Sequence, residues 1–293
     1  MKDYYTIRCI ASAILVFMTF TVYGQSENFD KGKAAFLDGK HREALTFLNQ
    51  AVHNDKFLMK GKDIPVAYAY LAIIRNEHLS KKLELGNVSM IQQSPGLLNS
   101  TISDVTNALK YQDNSSKSLV NKAYNQMIEN AMHIGKIVTD SLLYLDLETQ
   151  VEEAKSLALI LNYELKDLSD IDKDNWELHD MIGLSYYILD EPDLAMLEFK
   201  RGRDIYNDQA ETKVSDLHLY NCVYSTKYNY KVSKNYQEAY NASVDGHKII
   251  MVLMDQVNPD SLSHLKNLAA IDGTFSSIQS RVENMNIISS NKE

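Results

Sequence analysis

Cysteine is almost missing from this chain of 293 residues, with one at position 9 and one at position 222. Cys9 lies in an N-terminal segment expected to be removed, so Cys222 stands alone and no intrachain disulfide can form. Four prolines and 11 glycines leave few turn signals, which disfavours a many-stranded sheet and suits long helices. Beyond residue 25 no apolar run approaches the roughly 20 residues a membrane span requires. Positive charge is also short: 30 Lys and Arg stand against 39 Asp and Glu, a net charge of −9. No basic cluster could neutralise phosphates, which argues against nucleic acid and against adhesion to anionic lipid. Phosphate-binding loops, a Gly-x-Ser-x-Gly elbow and paired metal-ligand histidines are missing from the sequence. Catalysis therefore has no positive sign, and no cofactor or metal is expected.

The first residues have the layout of a secretory signal. Lys2 and Arg8 precede an apolar core from Cys9 to Phe20, and Val22-Tyr23-Gly24 leads to a cleavage point before Gln25. Cys9 lacks the Leu-x-Gly/Ala-Cys setting of a lipoprotein signal. Residues 1–24 are thus expected to be a signal peptide and the mature chain periplasmic or secreted.

Apolar residues in the remainder step by three and four. Val120, Tyr124, Met127, Ala131, Ile134, Val138 and Leu142 form one stripe; Val151, Ala154, Ala158, Leu161, Leu165 and Leu168 form another. Clean alternation is nowhere present, so the chain reads as all-α. Helices are expected near 27–38, 41–54, 64–84, 95–111, 117–145, 149–168, 175–189, 192–206, 216–231, 235–254 and 260–284. The polar stretch Gly86–Ser94 reads as a loop.

A pattern of small residues recurs along these helices. It runs Gly32-x2-Ala35-x8-Ala44-x3-Leu48-x2-Ala51, then Gly183-x2-Tyr186-x8-Ala195-x3-Phe199-x2-Gly202. A weaker copy runs Lys227-x2-Tyr230-x8-Ala239-x3-Ser243-x2-Gly246. Small side chains at fixed offsets on consecutive helices let the helices cross closely. This frame resembles the tetratricopeptide repeat, whose period is about 34 residues, although the last two copies lie 44 residues apart. The resemblance implies an exported bacterial protein built as a right-handed solenoid of helical hairpins, with a less regular helical insertion in the middle. Its parts would be repeats over 25–85, a divergent helical region over 86–168, and repeats with a capping helix over 169–293.

In that family the first helix of each hairpin lines a concave binding face. The matching positions here include Lys33 and Phe36, then Asp180, Leu184 and Tyr187, then Tyr224 and Tyr228. Tyr220 extends the last set, since Tyr220, Tyr224 and Tyr228 are spaced by four on one helical face. Tyrosine joins a flat apolar body to a polar tip, a combination suited to partner contacts or to packing between helices. The resemblance implies a non-catalytic scaffold that presents this face to a protein or peptide of the cell envelope. A glycan or small ligand stacked on the tyrosines is the alternative.

Three other patterns carry blander readings. Asp170-x-Asp172-x-Asp174-Asn175 opens like a calcium loop, but the twelfth position is Met181 where a bidentate acid is needed, so a capped interhelical turn is expected instead. His218 and Cys222 lie four apart, yet two ligands do not close a zinc site. Asp140-Ser141-Leu142 and Asp260-Ser261-Leu262 match a short O-glycosylation signal, but they are expected to be helix caps instead. The signal-peptide expectation is checked by mass spectrometry of the exported protein, which should begin at Gln25; an intact Met1 would remove it.

Overall fold

The computed structural model describes residues 27–54, 56–85, 88–93, 96–144, 149–209, 215–256 and 262–290. The signal segment and Asp260-Ser261 lie outside them. The described residues form twelve α-helices and no strand, as the spacing of apolar residues predicts. They are α1 (27–37), α2 (His41–Asn54), α3 (Asp63–Leu85), α4 (Val88–Gln93), α5 (Asn99–Tyr111) and α6 (Lys117–Tyr144). The series continues with α7 (Val151–Leu165), α8 (Trp176–Ile188), α9 (Pro192–Asp208), α10 (Asp216–Lys231), α11 (Tyr236–Gln256) and α12 (Leu262–Ser290). No helix among the described residues is long and apolar enough to cross a membrane. Helix α4 falls where the sequence predicts a loop. Its single apolar anchor, Ile91, is fully buried, too weak a signal to register as a period.

The chain divides into two compact units at Ile137/Val138, a point inside the middle region that the sequence treats as one segment. In the first unit α2 packs on α3 and α3 on α5. Helices α3 and α6 are joined by a buried amide pair: Asn130 Nδ2 donates to the Asn76 carbonyl at 3.1 Å and to its Oδ1 at 3.2 Å. Asn76 Nδ2 in turn donates to the Ala123 carbonyl at 3.1 Å. Such a pair fixes the axial register of the two helices, because any slide strands buried polar groups. Within this unit the α6 stripe is buried as expected at Val120, Met127, Ala131 and Ile134, and in the second unit at Val138 and Leu142.

In the second unit successive helices α7 to α12 pack on their neighbours, and α8 also touches α10, as α10 does α12. Helix α8 is therefore enclosed by α7, α9 and α10. Apart from Glu177, every residue from Trp176 to Tyr186 is buried. Its first turn is capped by Asn175, whose side chain accepts from the Leu178 N–H at 3.2 Å, and α9 begins with Pro192 at a position where no N–H is missed.

The recurring frame has a physical basis at two close crossings. A Cβ on Gly32 would lie 2.7 Å from Leu48 Cγ, and one on Gly183 would lie 2.4 Å from Phe199 Cδ1. In both hairpins the missing side chain makes room for the bulky residue sixteen positions later. The third copy departs from this, since Lys227 is exposed and Gly246 instead faces Phe275 of α12 at 2.4 Å. What all three copies share is the turn. Gly39, Asp190 and Lys234 have φ of 72°, 65° and 58°, each five residues before a fully buried alanine, Ala44, Ala195 and Ala239. At the first two turns the hydrogen bonds also match: Lys40 N–H to Ala35 O at 2.8 Å with Gly39 N–H to Phe36 O at 3.0 Å, and Glu191 N–H to Tyr186 O at 2.9 Å with Asp190 N–H to Tyr187 O at 3.3 Å. This is a Schellman closure, in which a left-handed residue satisfies the last carbonyls of a helix.

Left-handed backbone costs a non-glycine residue about 1–2 kcal/mol, and glycine returns part of that as unfolded-state entropy. Lys234→Gly should therefore raise stability by about 1 kcal/mol in chemical denaturation, whereas Gly183→Ala should lower it by about 1–3 kcal/mol through overpacking against Phe199.

Candidate functional site

A cleft of about 450 Å³ opens in the second unit at the turn end of the α8/α9 hairpin. Four helices contribute to it. Helix α7 supplies Val151 and Ala154 from its first turns, α8 and the turn after it supply Tyr187, Ile188 and Asp190, α9 supplies Pro192, and α10 supplies Tyr224 and Tyr228. Exposure of Val151, the one outlier of its stripe at 39 %, follows from its place on this wall.

The tyrosines form a short ladder. Tyr187 and Tyr224 stack with ring centroids 4.2 Å apart and planes 26° from parallel. Tyr220 continues the series beyond the cleft, 6.3 Å from Tyr224 at 27°. Burial pushes the Tyr224 phenol up to about 12, with Tyr187 and Tyr220 adding to the shift, and burial raises Tyr187 as well. Tyr228 Oη donates to Asp193 Oδ1 at 2.9 Å; that hydrogen bond raises its pKa first, with a smaller push from desolvation. Tyr187 and Tyr224 are thus neutral at physiological pH, and the Tyr228 hydroxyl is turned to the Asp193 carboxylate.

Of the residues that the repeat frame places on a binding face, Tyr187, Tyr224 and Tyr228 come together here, with Tyr220 beside them. Lys33 and Phe36 belong to the first unit. Lys33 is exposed, and Phe36 is half-buried against Tyr70, 4.2 Å between ring centroids. Two expectations are corrected. Leu184 is 3 % exposed and packs in the interior, because α8 has neighbours on three sides. Asp180 is fully buried and faces no partner. Its Oδ2 meets His218 Nδ1 at 2.5 Å and its Oδ1 accepts from Asn221 Nδ2. Gly202 leaves the space for it, since a Cβ there would lie 2.5 Å from Asp180 Oδ1.

Asp180 belongs to a buried polar chain that continues through Asn221 to Arg203. Arg203 donates to Asn221 Oδ1 at 3.3 Å, to Ser225 Oγ at 2.6 Å and to Glu238. His218 stacks on Tyr206 at 4.2 Å and meets Trp176 edge-on at 5.3 Å. Cys222 is wholly buried and burial raises its thiol pKa. The His218/Cys222 pair thus serves interior packing, with His218 turned to Asp180. Among the described residues no group of three His, Cys, Asp or Glu side chains could hold a metal ion. In the acidic turn, Asp172 Oδ2 accepts from Asn175 Nδ2 at 2.9 Å, an arrangement that orders the cap of α8.

Four lining residues were not singled out by sequence: Val151, Ala154, Asp190 and Pro192. Asp190 alone had a usable signal, its equivalence in the frame to the turn glycine Gly39. No protein-family model and no curated protein sequence matches the chain, so the site rests on its own geometry.

A second cavity, about 370 Å³, is lined by Lys173, His179, Arg201 and Asp204 among others. His179 Nδ1 lies 2.6 Å from Glu198 Oε2, and Nε2 lies 3.1 Å from the Lys173 carbonyl. Burial opposes a charged imidazole here, but the hydrogen bonds to Glu198 and to the Lys173 carbonyl, with the Glu198 charge, outweigh it and raise the pKa. A raised folded value means that the stabilisation is complete below the unfolded value of about 6.5 and is lost as pH climbs through the folded one. The stability difference between wild type and His179→Gln should accordingly hold steady in acid and narrow above about pH 6.5, as read by denaturation at a series of pH values.

Proposed function

We propose that the chain is an exported bacterial protein of tetratricopeptide-repeat type, acting as a non-catalytic binding scaffold of the cell envelope. Its ligand is an extended peptide segment of a partner protein, seated in the tyrosine cleft of the second unit. The observation that carries this reading is the Tyr187–Tyr224–Tyr228 wall. Three half-buried tyrosines converge on one concave surface from two helices, α8 and α10, next to carboxylates, and among the described residues no metal-binding cluster stands beside them. Tyrosines of this kind lose little side-chain entropy on binding and bury large area, which makes them effective anchors.

The hairpin geometry supports the repeat assignment. Two crossings at Gly32/Leu48 and Gly183/Phe199, and three left-handed turn residues at one frame position, are what a duplicated hairpin unit requires. Export rests on the N-terminal sequence, and a periplasmic or secreted location follows from it. Asp190 and Asp193 at the cleft, in a chain of net charge −9, favour a segment carrying a basic residue beside an apolar one. Nucleic acid is disfavoured on the same ground.

The alternative is a glycan stacked on the tyrosines. Stacking on sugar needs a free ring face, whereas Tyr224 is flanked by Tyr187 and Tyr220 and largely removed from solvent. Peptide is therefore preferred, with the ring edges and hydroxyl tips making the contacts.

Crosslinking pull-down from cells, comparing wild type with Tyr224→Ala/Tyr228→Ala and with Tyr220→Ala, tests this. A specific protein should be captured by wild type and lost with the double variant. Tyr220→Ala, at the exposed end of the ladder, should weaken capture while shifting the melting temperature by less than about 2 °C. Equal capture by all three would place the site elsewhere, and retention of envelope glycan in place of protein would favour the alternative.

A further inference from the structure

The connection between α2 and α3 in the first unit carries the most exposed large apolar side chain among the described residues: Phe57 is 85 % exposed. A ring held in water gains by moving to an apolar phase, and here the exposure is built in. Lys56–Leu58 form a single 3₁₀ turn, in which successive side chains diverge by about 120°. Lys56 takes the inward direction. Its Nζ donates to Tyr68 Oη at 3.3 Å and lies 5.1 Å from the centre of that ring and 4.5 Å from that of Tyr111. With Lys56 clamped on α3 and the end of α5, the side chain that follows it is turned to solvent. Two backbone hydrogen bonds shape the tip, Met59 N–H to Lys56 O at 3.3 Å and Asp63 N–H to Lys60 O at 2.8 Å.

Cations surround this ring. Lys60 and Lys62 are exposed, and the chain has no acidic residue between Lys56 and Lys62. Lys110 stands beside the loop, since its Nζ is 5.6 Å from the same Tyr111 ring that Lys56 approaches. Among the described residues none of Lys56, Lys60, Lys62 and Lys110 is in an ion pair. Asp63 lies in the first turn of α3, where the positive end of the helix dipole engages it, and Asp113 accepts from the Ser115 hydroxyl and the Ser116 N–H.

The net charge of −9 would by itself oppose an anionic surface. Charge on exposed groups, however, is felt over only about 8 Å at physiological ionic strength, so the local balance at the loop decides. Its size decides the kind of partner. A stable protein interface takes about 800 Å² from each side, far more than one loop tip offers. A lipid surface asks only for an aromatic ring to enter the boundary of headgroup and acyl chain while neighbouring cations meet the phosphates. We propose that this loop docks the first unit on an anionic phospholipid surface, with the Phe57 ring inserted and Lys60, Lys62 and Lys110 against the headgroups. Attachment through one ring and a few lysines is reversible.

The test is co-sedimentation of the chain from Gln25 onward, so that the apolar segment Cys9–Phe20 does not itself bind lipid. Vesicles of phosphatidylcholine with about one-third phosphatidylglycerol are compared with phosphatidylcholine alone. Saturable binding is expected on the anionic vesicles only, weakened by added salt. Phe57→Ser should lower the affinity about tenfold and Lys60→Ala/Lys62→Ala about thirtyfold. Circular dichroism should not change, since all three side chains are exposed. Phe57→Trp adds a second readout: its emission should shift to shorter wavelength on anionic vesicles, while wild type, whose one tryptophan is the buried Trp176, should show no shift. No binding to anionic vesicles would overturn the proposal. So would equal binding by wild type and both variants, or equal binding to the two kinds of vesicle. Loss of an acidic protein partner from the Phe57→Ser variant, with no vesicle binding by wild type, would assign the loop to protein docking instead.

Discussion

The contact on which the second unit depends is the close approach of α8 and α9 where Gly183 meets Phe199. With only hydrogen at position 183, the Phe199 ring lies against the α8 backbone and is itself 1 % exposed. Full burial of such a ring contributes about 1.5–3 kcal/mol, and it also sets the separation of the two helices. That separation in turn fixes where the turn at Asp190 stands, and so where Tyr187, Ile188 and Pro192 meet Tyr224 and Tyr228 across the cleft. The first unit repeats the same device with Gly32 and Leu48, which shows that the spacing of small and large residues is a structural rule of this chain.

Around that hairpin, register is set by polar groups as well as by fit. Asp180, His218, Asn221, Arg203 and Glu238 lie on four helices, α8 to α11, and are linked by hydrogen bonds in the unit's interior. A connected network of this kind contributes little net stability compared with an apolar core, but removing one partner strands a buried charge at a cost of about 3–5 kcal/mol. The consequence is specificity. A one-residue slide of α10 on α8 would separate His218 and Asn221 from Asp180, so competing packings are penalised. The Asn76–Asn130 pair does the same for α3 and α6 in the first unit.

The cleft proposed as a binding site lies where this order ends. The tyrosine cleft forms at the turn end of a hairpin, past the last buried turn of α8, where Ile188 and Leu189 are already half-buried and Asp190 is exposed. Helix ends leave backbone donors and acceptors unsatisfied and let side chains diverge from the packed face, so open, chemically varied surfaces arise there more readily than along the middle of a packed helix.

Much of the architecture was legible in sequence because helix period is a local property. Stripes such as Val120 to Leu142 and Val151 to Leu168 mark helices by spacing alone, and the frame at Gly32 and Gly183 marks hairpins, because close crossing demands a small residue at a set distance from a large one. Tyr187, Tyr224 and Tyr228 were also visible as a face. Local pattern could not decide the fate of Asp180 and Leu184. Counted along α8, both lie on the same stripe as Tyr187, and their burial arises because α7, α9 and α10 all pack against α8. Nor could it find Val151, Ala154 and Pro192, which join the cleft from other helices and carry no signal of their own. By itself the sequence determined the helical segments other than the short α4, and which pairs turn back on each other, since those follow from contacts within about 20 residues. Which side of each helix meets solvent was decided by tertiary packing, since burial depends on neighbours remote in the chain.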